Sequence, residues 1–552
     1  MVRSSARGAR SASGTRRWRA VLARFGCAAA HAGAGAFCAA GLCAAGLAVA
    51  ALCVATLSPS AARAADPSAS AAAPAPDTAQ ASDAVQAPDA IGSFLARPTT
   101  LPYAREYPAI PYARMPADNA IARLQERVDR GEVKLLYRPP RGYLDSILAA
   151  LGISPSSQTL VYSKTSLQTG DISAATPRAI YFDDETYVAW VQHGNIELAA
   201  MDSKLGPVFY VLSNEPVQRV RLERETVDCL SCHDTYELSG GGVPRFLLMS
   251  TYVDVHGEQL THEGQIITFA ETPLKYRWGG WYVTGHSGDQ VHLGNILVHD
   301  VQELVHLDQV RRGNLDTLKG LFDTRPYLTD KSDIVALLVL QHQVDVQNLI
   351  TRVNFEVRTA LERAGGGHAL RGSPTAAALP EKTRAALKGY MDALVSVMFC
   401  AGTPRFTSPI SGNSGFTQWF ESRGPRDANG RSLRELDLET RLFKYPLSYL
   451  VYSPAFDALP GYAKDYIYGR FMDVLTGRSE RVGPSSSPNG PAAEALEAYG
   501  IEPGTDESIR LSDADRKAIL EILRATKPEF GRYLDSHEVH VAAARGAPPS
   551  GR

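Results

Sequence analysis

Between Thr159 and Leu212 the apolar residues come in short runs, Leu160-Val161-Tyr162, Ala179 to Phe182, Thr186 to Gln192, Ile196 to Ala200 and Pro207 to Leu212. Turn formers such as Asp183-Asp184 and His193-Gly194-Asn195 separate the runs, and this spacing predicts an antiparallel β-meander. Upstream, Ile121, Leu124 and Val128 recur at helical spacing, with Asp118 as the expected N-cap and Gly131 as the stop. Tyr143 to Leu151 reads as a second short helix. Downstream, Gly240-Gly241-Gly242 reads as a break, and Arg245 to Val253 and Ile266 to Phe269 read as extended segments. A long helix is expected from a Ser332 cap to about Arg363, carrying Leu337, Leu340, Val344, Leu349, Val353 and Leu361 and ended by Gly365-Gly366-Gly367. Further helices are expected over Glu381 to Phe399, Tyr462 to Leu475 and, capped by Ser512, Asp513 to Thr526. No fixed-period repeat is present. The expected class is α+β: an antiparallel β-rich N-terminal half followed by a mostly helical C-terminal half.

The first sixty-odd residues have a different texture. Seven arginines from Arg3 to Arg24 precede an Ala/Gly/Leu/Val/Cys run from Phe25 to Leu57, and Ala62-Arg63-Ala64 offers a small-x-small cleavage pattern. The run marks the chain for export; left uncut, it is long enough to anchor the chain in a membrane. From Asp66 to about Ala90 the composition is Ala/Pro/Ser/Asp-rich, with too little apolar surface to offset chain entropy. Lys+Arg 57 against Asp+Glu 59 leaves no basic excess for nucleic acid. Four of the 7 cysteines lie in the leader, so Cys229, Cys232 and Cys400 cannot build a disulfide framework. Cys400, on an apolar helical run, reads as a small buried hydrophobe.

The chemistry concentrates in Cys229-Leu230-Ser231-Cys232-His233. Two thiols separated by two residues and followed at once by histidine match the pattern for a c-type haem, in which each thiol bonds a vinyl carbon and the imidazole takes the iron. With 7 Cys and 13 His in 552 residues, random order yields the pattern in about two chains per thousand. Rival readings are a redox dithiol, half a zinc site and a local disulfide. The dithiol has no use for the histidine, and the zinc half-site lacks a second cysteine pair in the exported body. The expected organisation is a signal peptide or membrane anchor over 1–65, a disordered linker over 66–92, and a mixed helix and β-meander region over 93–228. A haem c-binding segment follows over 229–330, then a helical region over 331–540 and a disordered tail over 541–552.

Several segments carry a resemblance: Pro177 to Phe182, Gly206 to Tyr210, Cys229 to His233, Trp278-Gly279-Gly280-Trp281-Tyr282-Val283-Thr284-Gly285, His292-Leu293-Gly294-Asn295 and Asn348-Leu349-Ile350-Thr351-Arg352. Together they resemble a family of exported bacterial proteins labelled cytochrome c domain-containing, over a stretch from about Arg178 to Thr476. The resemblance implies one covalent haem c and electron transfer, and names no substrate. His233 is the expected proximal iron ligand. Candidates for the far side of the iron are Met249, His256, His262, His286, His292, His299, His306 and His342. His292 is the choice, because it falls in a resembling segment just after the aromatic run, with His342 next. Arg245, Lys275 and Arg277 are candidate propionate partners. The two tryptophans of the aromatic run read equally as a porphyrin contact or as β core.

The expected function is an exported monohaem c-type cytochrome that passes single electrons, on the periplasmic side or the outer face of the inner membrane, to redox partner proteins that the sequence does not identify. It assigns no catalytic residue. One alternative is a haem enzyme or gas sensor with an open distal site, and another is a CxxC thiol-disulfide or metal-binding protein without haem.

Overall fold

The computed structural model describes residues 109–234, 243–306, 313–365, 379–479 and 511–546. The leader and linker expected over 1–92, the glycine run at 240–242 and the chain beyond 546 lie outside them. The protein is α+β, with an antiparallel seven-stranded sheet in the middle and helices filling the C-terminal part.

The five meander strands form where the apolar runs predict them: β1 (Thr159–Val161), β2 (Arg178–Phe182), β3 (Thr186–Trp190), β4 (Ile196–Asp202) and β5 (Gly206–Leu212). A short charged strand, β6 (Glu223–Glu225), adds at the outer edge. After a small separate hairpin of β7 (Met249–Thr251) and β8 (Gln265–Ile267), the chain returns to lay β9 (Trp281–Tyr282) beside β1. The order is β6-β5-β4-β3-β2-β1-β9, every neighbour antiparallel. Only Met249–Thr251 of the expected 245–253 extension joins a ladder.

All five residues of β3 are buried because the sheet is covered on both faces. Helix α1 (Ala120–Asp129) lies on one face, where the Asn119 amide meets the Tyr210 hydroxyl at 2.9 Å. The cap of this helix is Asn119 and not Asp118: its Oδ1 accepts the N–H groups of Ile121 and Ala122 at 3.1 and 3.0 Å. Both residue types cap equally well, and the buried contact to Tyr210 selects the asparagine. Asp118 is left outside, paired with exposed Arg123. A second short helix, α2 (Leu144–Leu151), and a single turn, α3 (Leu230–His233), precede the helical half.

The opposite face carries α4 (Ile334–Gly365), about 48 Å of helix. From Ile334 to Gln347 every residue is buried. Gln343 and Gln347 both bond the Tyr187 hydroxyl, at 2.7 and 2.5 Å, and hold the carbonyls of Asp183 and Asp184 in the β2–β3 turn. The expected Ser332 cap is displaced by one residue. Asp333 Oδ1 accepts from the N–H groups of Val335 and Ala336, and Oδ2 accepts from those of Asn413 and Ser414. Ser332 instead donates to the Tyr282 carbonyl and accepts from Leu160 N–H, tying the helix start to β9 and β1. Its side chain is committed to the sheet, so the next acceptor takes the cap.

The aromatic run is core. A Cβ at Gly279 would meet the Thr251 carbonyl oxygen at 2.6 Å, and one at Gly280, where φ is +83°, would meet Ser163 Cβ at 2.7 Å. The bulk these glycines admit is neighbouring backbone and side chain of the protein itself. Helices α5 (Glu381–Met398), α6 (Phe416–Glu421), α7 (Pro454–Asp457), α8 (Gly461–Leu475), α9 (Asp513–Thr526) and α10 (Pro528–Gly546) complete the fold, with a Ser512/Asp515 capping box on α9. Helix α5 packs on α4, and α8 on α5. Among the described residues no helix is long and apolar enough to cross a membrane.

Two outcomes follow for stability. Asp333→Ala strands four backbone donors, two of them, on Val335 and Ala336, buried, and is expected to cost about 3 kcal/mol in urea unfolding. His342, enclosed on α4 with Nε2 2.8 Å from the Ser448 hydroxyl, is driven by burial from 6.5 down to about 3. The unfolded chain therefore takes up a proton below pH 6.5 that the folded chain refuses, and stability present above that pH is lost towards about 3. The slope from this group approaches about 1.4 kcal/mol per pH unit between those two values; unfolding curves of wild type and His342→Asn between pH 6 and 4 should differ by close to that slope.

Candidate functional site

The chain leaves edge strand β6 and makes one helical turn. Ser231 N–H reaches the Val227 carbonyl, His233 N–H the Cys229 carbonyl at 3.0 Å, and the Ser231 hydroxyl closes on the Asp228 carbonyl at 2.6 Å. Leu230, 1% exposed, pegs the turn into the core. Cys229 is half-buried, Cys232 is exposed, and both thiols are free. Burial, reinforced by Glu197 and Glu225, pushes the Cys229 thiol up to about 12.

His233 closes the turn with its ring over Phe209 of β5, centroids 4.5 Å apart and planes at 32°. Its Nδ1 lies 2.7 Å from the Arg245 carbonyl oxygen. A carbonyl only accepts, so Nδ1 carries the proton and the neutral ring keeps its lone pair on Nε2, the tautomer used by a metal-binding histidine. Arg245 N–H returns a bond to the His233 carbonyl at 3.0 Å. Burial lowers the imidazole to about 4 despite the bond to Arg245, which holds it neutral.

Arg245 is in turn held from α4. The Asn348 amide clamps both backbone groups of the next residue, accepting Phe246 N–H at 2.8 Å and donating to the Phe246 carbonyl at 2.9 Å. Phe246 also packs against Tyr187 and Phe209. The sequence singles out Asn348 only as part of a resembling segment, and Arg245 only as a cation; the backbone role of both emerges from the fold.

The sheet register adds an electrostatic floor. Phe209 pairs with Ala199 and Val211 with Glu197, so Glu197 shares the face of Phe209. Glu197 pairs with Ala189, which pairs with Ile180, putting Arg178 on that face too. Small Ala189 lets Arg178 reach across β3 to Glu197, Nη2 to Oε2 at 2.5 Å. The Ser166 hydroxyl donates to the other oxygen at 2.7 Å, and Arg178 Nε is buried without a hydrogen-bond partner. Burial would raise the Glu197 carboxyl, but Arg178 and Ser166 outweigh it and hold it below the usual carboxylate range. The charges of Arg178 and Glu197 reach both Cys229 and His233. Period-2 alternation along β2 and β4 is the signal that could have placed the pair on one face.

The other named residues lie elsewhere. His292 is 4% exposed beside Trp278, its Nδ1 accepting Gly294 N–H, and the adjoining Leu293 and Asn295 bond the Arg277 and Trp281 carbonyls next to β9. Five strand spacings separate β9 from β5, roughly 24 Å along the sheet. The structure therefore gathers Cys229, Cys232 and His233 and does not bring His292 to them. His342 is committed to Ser448, and His286 to Asp316 at the surface. Arg277 is a buried core cation whose guanidinium bonds the Thr272 and Ala270 carbonyls, and Lys275 covers Tyr276.

A cleft of ≈ 240 Å³ is lined by residues including Asp183, Glu185, Arg423, Arg434 and Tyr452. There burial and the neighbouring aspartates raise Glu185 to about 7. Arg434 binds Asp184 through both guanidinium nitrogens between Phe420 and Tyr449, an ion pair that locks the β2–β3 turn to the helical half. Among the described residues no group of three or more His, Cys, Asp or Glu side chains converges as a metal site.

What the turn can do chemically is bounded by its donors: two free thiols available for bond formation and, beside them, one neutral imidazole nitrogen with its lone pair available. No family model, curated protein or solved structure matches this chain.

Proposed function

We propose that the protein is an exported c-type cytochrome carrying one haem, attached through Cys229 and Cys232 and ligated by His233, as in the cytochrome c domain-containing proteins its segments resemble. The observation that carries the proposal is the hydrogen bond from His233 Nδ1 to the Arg245 carbonyl, which directs Nε2 to a metal one turn away from two free thiols. Haem c supplies a one-electron ferric/ferrous couple when bound. The chain's own part is to fix the imidazole tautomer through Arg245, to brace the ring on Phe209, and to leave the Cys232 side open to solvent. The leader places the working protein on the periplasmic side, free or held at the outer face of the inner membrane.

The position opposite His233 decides between a carrier and a ligand-binding protein. A second histidine on the same metal stands about 4 Å from the first, nitrogen to nitrogen, whereas His292 sits across the sheet. That separation favours a far position filled by another residue or by an exogenous ligand, and keeps the gas-sensor or peroxidase-like alternative as the second reading.

Maturation in a strain that attaches haem covalently should give a protein whose haem stain survives denaturing electrophoresis and whose alkaline pyridine spectrum is that of haem c. Cys229→Ala/Cys232→Ala should abolish the stain, and His233→Ala should keep the thioether-bound colour while losing the low-spin spectrum. A colourless wild type with two alkylatable thiols would instead mean a CxxC protein without haem. His292→Ala is expected to leave the ferric spectrum and its cyanide affinity within about twofold of wild type, since five strand spacings separate β9 beside it from β5 beneath His233; a switch from low to high spin in that variant would restore it as the sixth ligand.

A further inference from the structure

We infer that the Arg178–Glu197 ion pair is a built-in regulator of the haem's reduction potential, with Glu197 favouring the oxidised state and Arg178 the reduced one. The inference rests on the proposed haem at Cys229, Cys232 and His233 and adds a role for two residues that neither bind nor attach it.

Three features of the pair set it apart from an ordinary surface ion pair. It lies on the sheet face that carries Phe209, the ring beneath His233. Both side chains are about four-fifths buried, so solvent screens them little. The fold also spends other groups on holding it in place: Ala189 clears the path between the two, and Ser166 fixes the second carboxylate oxygen. Arg178 Nε is buried without a hydrogen-bond partner, so the guanidinium is held chiefly by Glu197.

Oxidation adds one positive charge at the iron, with one electron passing to the mediator or redox partner and no bond broken. A nearby carboxylate stabilises that added charge and a nearby guanidinium opposes it. With both present the two effects largely cancel, and removing either exposes the other. The two single substitutions must therefore shift the potential in opposite directions. A purely structural ion pair would lower stability in both variants without that opposition of sign.

The experiment uses the full chain matured with covalent haem, titrated with redox mediators. Glu197→Gln should raise the midpoint potential, Arg178→Gln should lower it, and the double variant should return close to wild type. Ser166→Ala, which disturbs the fold least, should lower the potential by leaving the carboxylate less neutralised, and it decides the matter if a charge variant fails to accumulate. Potentials that stay at the wild-type value, or that move the same way in both single variants, overturn the regulator while leaving the haem proposal intact. A wild type without covalent haem overturns both, and the pyridine spectrum distinguishes that case before any titration.

Discussion

Helix α4 is enclosed on all sides from Ile334 to Gln347, and this one constraint propagates to the candidate site. An enclosed helix must bond every polar group it carries, because an unmatched one costs about 1–3 kcal/mol. Its glutamines meet that demand by gripping Tyr187 and the β2–β3 turn, and Gln341 does so by bonding Thr268. The residue after Gln347, Asn348, satisfies its amide on the backbone of Phe246. The neighbouring Arg245 carbonyl is thereby fixed, and with it the tautomer of His233. The link from core helix to imidazole runs through backbone groups, so it is insensitive to what side chain stands at 245.

The sheet supplies the second half of the arrangement. Its register places Phe209, Glu197 and Arg178 on one face, and the choice of alanine at 189 lets charges two strands apart meet. A bulkier residue there would separate them. The charged pair is tolerated beside a hydrophobic stack because its members pair with each other and Ser166 bonds the second carboxylate oxygen.

Much of the scaffold is legible in the sequence because it depends on local periodicity. The five meander strands, the long helix and the Ser512-capped helix all announce themselves by spacing and caps. The misplacements share a cause. Asn119 replaces Asp118, and Asp333 replaces Ser332, because a tertiary contact chose between two equally good capping residues. Short helices α6 and α7 carry too few residues for a period to show. At the site, the turn Cys229 to His233 is legible as a motif, while Arg245, Asn348 and the Arg178–Glu197 pair are not, since each acts through a partner 12 to 102 residues away.

A body of this size around one five-residue motif invites the reading of an enzyme. In the fold, most of that mass serves to enclose α4: α5 to α8 and the loop carrying Arg277 pack around it. The cavity beside His342, Arg277 and Cys400 measures ≈ 20 Å³, room for about one water, and the larger space is the cleft of ≈ 240 Å³ beside Asp183 and Glu185. On the motif side, Cys232 is exposed, as are Ser231 and Val227 beside it. Behind His233 stands a rigid polar frame, the Arg245 carbonyl on its imidazole and the Asn348 amide on both backbone groups of Phe246.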